Sequence, residues 1–173
     1  MILESVRIVA DALKHEEYGV NAQIDTITRD GTDPAPPHVK LFGDITRDKW
    51  VATLQDPAVV PAIMVAPSGP ASLSGEVLAD AIRDSESVAI DVLYIGRDIS
   101  PEQAITAMYM TFRAVLRTLK ELMGNSRADD RTRNGVCVIA AQDVTWGLAE
   151  LPIGSYGSTG ALVLTLSARD TVV

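Results

Sequence analysis

The segment Ser100 to Gly124 constrains the fold more than any other part of this chain. Ser100-Pro-Glu-Gln103 has the pattern of a helix start. Ser100 can accept from a free backbone N–H, Pro101 sits where its missing N–H costs nothing, and Gln103 can reach back to the cap. Apolar residues then recur at Ile105, Met108, Phe112, Val115, Leu119 and Leu122, in steps of three and four, until Gly124 offers a stop. The spacing predicts a helix of roughly six turns, about 35 Å long, with one continuous apolar stripe. Strand-like runs lie on both sides of it, so the helix is expected to lie across a sheet.

The 173 residues suit a single domain spanning 1–173. A chain of this size buries about 70% of its unfolded surface and needs neither disulfide nor metal to hold a core. The one cysteine, Cys137, excludes an internal disulfide and a Cys-based zinc site. Its run, Val136-Cys-Val-Ile139, suits a small buried hydrophobe better than a reactive thiol. With acidic Glu4 near the start and no long apolar core, no signal peptide is expected. No window is apolar for long enough to span a membrane. A soluble protein made in a reducing cytoplasm is the expectation.

The net charge of −8 is unevenly placed. Residues 1–100 hold 16 acids and 8 bases, whereas residues 101–173 hold 7 of each. Such a chain is a poor candidate for gripping nucleic acid, because phosphate binding needs a basic face. An acidic surface repels DNA passing near it, or simply keeps the protein in solution.

Along the chain, Ile2, Val6, Val9 and Leu13 mark a first helix over 2–16, which Gly19 ends. Val20 to Ile27 alternates enough to permit a strand, while Val20, Ile24 and Ile27 fit a short helix, the preferred reading. Residues 28–37 form a loop rich in Gly, Asp and Pro. His38 to Phe42 reads as a short strand, and Ala62-Ile-Met-Val65 as one bounded sharply by prolines. Val88, Ile90, Val92 and Tyr94 alternate with Ala89, Asp91 and Leu93, a half-buried strand that feeds the long helix through Gly96–Ser100. After a polar loop over 125–134 come a strand over 136–141, a glycine-rich connection or hairpin tip over 150–160, and a last strand from Ala161. This order argues an α+β fold: a mostly antiparallel mixed sheet with the long helix and the shorter N-terminal helix on one face.

Catalytic signatures are missing from the sequence. His15 sits in a charged patch and His38 follows the proline loop, where a subunit contact suits it better than base catalysis. Two scattered histidines do not make a metal site, and Glu16-Glu17 and Asp129-Asp130 read as solvated faces. Ser68–Gly75 and Gly154–Gly160 lack the context of a phosphate loop and read as flexible loops, the second, with Tyr156, a candidate to touch a neighbouring subunit. No catalytic residue, cofactor or metal is assigned. Arg113, Arg117 and Lys120 share one face of the long helix, either as a solvated stripe or as a contact with an acidic neighbour such as the first half of an adjacent copy. Arg127, Arg131 and Arg133 extend it in the following loop. Trp50 and Trp146 suit partial burial at a sheet edge or an interface.

The chain resembles the tail terminator (tail completion) and neck proteins of tailed bacteriophages. The features that carry the likeness are the helical opening with Gly19-Val-Asn-Ala-Gln-Ile24 and the Asp33-Pro-Ala-Pro-Pro37 loop. Next come Ile90-Asp-Val-Leu-Tyr94 ahead of the Arg113…Leu116-Arg…Leu119 helix, then Gly135-Val136 and Gly160-Ala-Leu-Val-Leu-Thr-Leu166 with Asp170 behind it. The likeness is one of order, length and texture over most of the chain, with no invariant motif.

What the resemblance implies is a non-enzymatic virion protein, made in the host cytoplasm. It would form a homo-oligomeric ring, usually hexameric, that caps the tail tube and presents a surface to neck or head-completion proteins. DNA would pass through its lumen without specific binding, and no membrane is involved. The stretches 28–37 and 67–87 are long for a minimal version of this fold and suit a neck or sheath partner. The alternatives are a head-completion or neck adaptor docking on the portal and, in another class, a small α+β enzyme or ligand-binding domain.

Overall fold

The computed structural model describes residues 2–30, 35–43, 58–68, 72–78, 81–125, 137–151 and 154–172. Among these residues three helices, α1 (Ile2–Leu13), α2 (Val20–Asp30) and α3 (Pro101–Asn125), accompany six strands. The strands are β1 (Leu41–Gly43), β2 (Ala62–Pro67), β3 (Ser72–Leu78), β4 (Ala81–Asp98), β5 (Cys137–Leu151) and β6 (Ser155–Val172). The fold is α+β, with the helices on one face of a mixed sheet.

The sheet runs in the order β1-β2-β4-β6-β5, with β3 paired to β4 off that path. Only β1 and β2 are parallel among the described pairs; the others are antiparallel. β4 is the spine. Ile82 to Asp98 pair with β6 on one side, while β3 covers Ala81–Ser87 and β2 covers Ile90–Ile95 on the other.

Alternation sets the core. Ile63 and Val65 of β2, Ile90, Val92 and Tyr94 of β4, and Leu162 and Leu164 of β6 point to the helices and are buried. Met108, Phe112, Val115 and Leu119 of α3 meet them, so the stripe expected from the 3–4 spacing is the core face. The helix start also forms as read: Ser100 Oγ accepts from the Gln103 N–H at 3.2 Å, and its carbonyl accepts from Ala104 at 3.0 Å. α2 is helical, since Val20, Ile24 and Ile27 are all buried on one side.

Four local readings are corrected. α1 stops at Leu13, not 16, because the chain turns there: the Glu17 N–H donates to His15 Nδ1 at 3.2 Å, and the His15 ring stacks on Tyr18 at 3.8 Å. The strand expected over 38–42 is confined to Leu41–Gly43. Val39 is diverted to α2, its N–H donating to Asn21 Oδ1 at 2.8 Å and its carbonyl accepting from Asn21 Nδ2 at 3.0 Å. Within Ser68–Gly75, the residues from Ser72 onward belong to β3, not to a flexible loop.

The fourth correction concerns Gly154–Gly160. Gly154 makes the turn, at φ 67°, where an L side chain is strained. The strand begins at Ser155, so Tyr156 is a strand residue opposite Asp98 and Glu150. The glycines beyond the turn serve packing, not flexibility. A Cβ on Gly160 would stand 2.7 Å from Met108 Sδ and from Phe112 Cε2, so its absence lets α3 settle on β6. The strand over 88–94 likewise runs on through Asp98, two residues before the helix cap.

Candidate interaction surfaces

Two surfaces meet near the solvent side of α3. Residues 104, 107, 108, 110, 111, 112, 114, 115, 118 and 119 of this helix are buried by the sheet and the other helices. A second apolar line, Ile105, Tyr109 and Leu116, runs along one flank of the stripe at helical spacing. It is only half covered: Tyr109 is 46% exposed and Leu116 43%. Arg113 falls between them and Lys120 one turn beyond Leu116, so Tyr109-Arg113-Leu116-Lys120 makes one alternating apolar and cationic row.

Of the residues singled out from sequence, Arg113 and Lys120 are exposed and Arg117 is half-buried, all on the outer side of α3. None of the three has an ion-pair partner among the described residues. Arg113 Nη1 lies 3.7 Å from Met110 Sδ, which lays its stem along the helix. Arg127, Arg131, Arg133 and Trp50 lie outside the described residues. Tyr156 is not brought to the basic row: the register puts it at the far end of the sheet, beside Asp98.

The β5 edge adjoins the same flank. β5 pairs with β6 on one side and has no other strand partner among the described residues. Trp146 and Leu148 stand opposite Gly160 and Ser158 on the helix-side face. They are 51% and 36% exposed, unusual for large apolar side chains. A shallow hollow of about 360 Å³ beside this edge is lined by Leu93, Thr145, Trp146, Thr159 and Ala161 with two glycines, a surface with two threonine hydroxyls and no titratable group.

The second surface is a groove of about 540 Å³ at the start of α3. Pro36 and Ala107 are buried in its floor, and Ile99, 76% exposed, forms a wall. Asp98 and Glu102 give it anionic character, with Thr106 beside them. The 35–40 segment is held there by the Asn21 clamp and by His38 Nε2, 2.8 Å from Asp25 Oδ1. That pair occupies the histidine that sequence reasoning left open for a subunit contact.

Polar groups are buried in the sheet itself, among them Tyr94, Ser158 and Asp91. Tyr94 lies between the layers with its hydroxyl within hydrogen-bonding reach of Thr111 and Ser158. Burial pushes its phenol up to about 12, the Asp98 charge adds to this, and the two hydroxyl partners oppose it. Asp91, on the opposite face between Ala66 and Val163, has a buried Oδ1 without a hydrogen-bond partner among the described residues. Among the described residues no three His, Cys, Asp or Glu side chains are placed to hold a metal ion. No described helix is long and apolar enough to cross a membrane.

Sequence reasoning found the cations and placed Trp146 at a sheet edge or an interface, where it stands, but missed Ile99, Tyr109, Leu116 and Leu148. The signal was present for two of them, since Tyr109 and Leu116 are apolar residues off the main stripe. A scan of protein-family models finds none that matches this chain, and no curated protein matches it either.

Proposed function

We propose that this protein is a structural subunit of a tailed-phage virion, a tail terminator that assembles with copies of itself into a ring. The ring caps the tail tube and joins it to the neck, and DNA passes through without being bound. The observation that carries this reading is the flank where the β5 edge, which has no second strand partner among the described residues and carries Trp146 and Leu148, adjoins the exposed Tyr109 and Leu116 of α3. An unpaired edge strand beside exposed aromatic and aliphatic side chains is a surface for association. The order of helices and strands on which the resemblance rests supports it as well.

The test is the mass of the purified protein by light scattering across a wide concentration range, with and without the tail tube protein, followed by negative-stain imaging. Rings matching the tube in diameter are expected. A protein that stays monomeric at high concentration and in the presence of tube protein sinks the proposal. Separate pull-downs against tube and portal proteins distinguish a terminator from an adaptor docked on the portal.

A further inference from the structure

We infer that the groove at the start of α3 receives the α3 row of a second copy of this chain. This rests on the self-assembly reading above and names the two surfaces that meet. The row presents Tyr109, Arg113, Leu116 and Lys120, with apolar and cationic side chains alternating along about 16 Å of helix. The groove presents Ile99 on an apolar floor, flanked by Asp98 and Glu102. Each surface carries what the other lacks: cations with no ion-pair partner among the described residues on one, carboxylates on the other, and exposed apolar side chains on both.

The geometry also sets the kind of contact. Row and groove are different patches on one helix, the groove at its N-terminal end and the row further along. A contact between them leaves a free groove on one copy and a free row on the other, so it is head-to-tail. Repetition through a closing rotation gives a ring. Charge pairs at the rim fix which surfaces meet, while the apolar side chains supply the burial.

A charge-swap experiment tests this. One variant reverses the row (Arg113→Glu with Lys120→Glu), and another reverses the groove (Glu102→Lys with Thr106→Lys). All four side chains are exposed, and thermal melts of each variant check folding. Each variant alone is expected to assemble at least tenfold more weakly than the wild type by sedimentation. An equimolar mixture is expected to regain assembly, because acidic row then meets basic groove while native row meets native groove. Recovery on mixing also shows that both variants are folded.

Wild-type assembly that survives both reversals overturns this inference and leaves the self-assembly reading standing. Loss in each variant without recovery on mixing overturns the pairing of these two surfaces. Intact assembly with impaired capture of tube protein assigns the groove to that partner and overturns the inference as well. A wild type that never assembles overturns both readings.

Discussion

The ring edge of Phe112 lies over Gly160, with Cε2 2.7 Å from where a Cβ on that glycine would stand. This contact fixes how closely α3 approaches β6. Met108 Sδ is equally near, so a methyl group there has two obstacles on the same side. Gly160→Ala is expected to lower stability by about 1–3 kcal/mol, the usual cost of overpacking a filled core. Urea denaturation measures this, and an unchanged midpoint would show that the helix can lift freely.

Tyr94 makes the protein sensitive to alkali. Its ring meets Phe112 edge-on, with centroids 6.0 Å apart, and its folded pKa stands near 12 against an ordinary 10.0. The folded state therefore holds the phenolic proton more tightly than the unfolded state. The resulting stability is complete below pH 10 and is lost as pH rises through 12, about 2–3 kcal/mol in all. Tyr94→Phe is expected to flatten that part of the stability–pH curve. Parallel curves for variant and wild type between pH 9 and 12 would refute the assignment.

Asp91 has a buried carboxylate oxygen that finds no hydrogen bond among the described residues. Leaving such a group unsatisfied in a sheet interior costs stability, and a β-branched apolar residue of similar size removes the cost. Asp91→Val is expected to raise stability by about 1–2 kcal/mol. Calorimetry measures the change, and a loss would mean that the carboxylate has a structural partner in solution.

The Ser100 cap is worth testing because α3 carries both proposed contact surfaces. Its hydroxyl satisfies the Gln103 N–H, one of the free donors of the first turn. Ser100→Ala is expected to cost about 1 kcal/mol, and Ser100→Asp to restore most of it. Amide exchange at the start of the helix should quicken in the first variant alone. If both variants exchange like the wild type, the cap is not what holds this turn.

How much was legible follows from where the information sits. The α3 core face was readable because a helix writes its buried side into local spacing, as Met108, Phe112, Val115 and Leu119 show. The helical state of α2 was readable for the same reason. Gly157 and Gly160 misled, since glycine in sequence signals a turn, while their actual role depends on Leu151, Met108 and Phe112 packing over the strand. Val39 was lost from its strand to a side chain eighteen positions earlier, which no local pattern contains.

The candidate surfaces divide along the same line. Arg113, Arg117 and Lys120 were visible from their spacing. Which of the two apolar lines on α3 remains uncovered depends on where α2 and the sheet press against it, so Tyr109 and Leu116 were hidden. The groove was hidden too, because residues 35–37 and 98–107 meet only in the folded chain.

The continuous pairing of β4 with β6, from Ile82 to Asp98, has a mechanical consequence. Tension that slides these two strands past each other loads the rungs between them in parallel, so they must break together and cannot peel apart in sequence. β2 and β3, placed end to end along the other margin, brace the same member. The molecule is stiffest along that axis, and it should yield first at right angles to it.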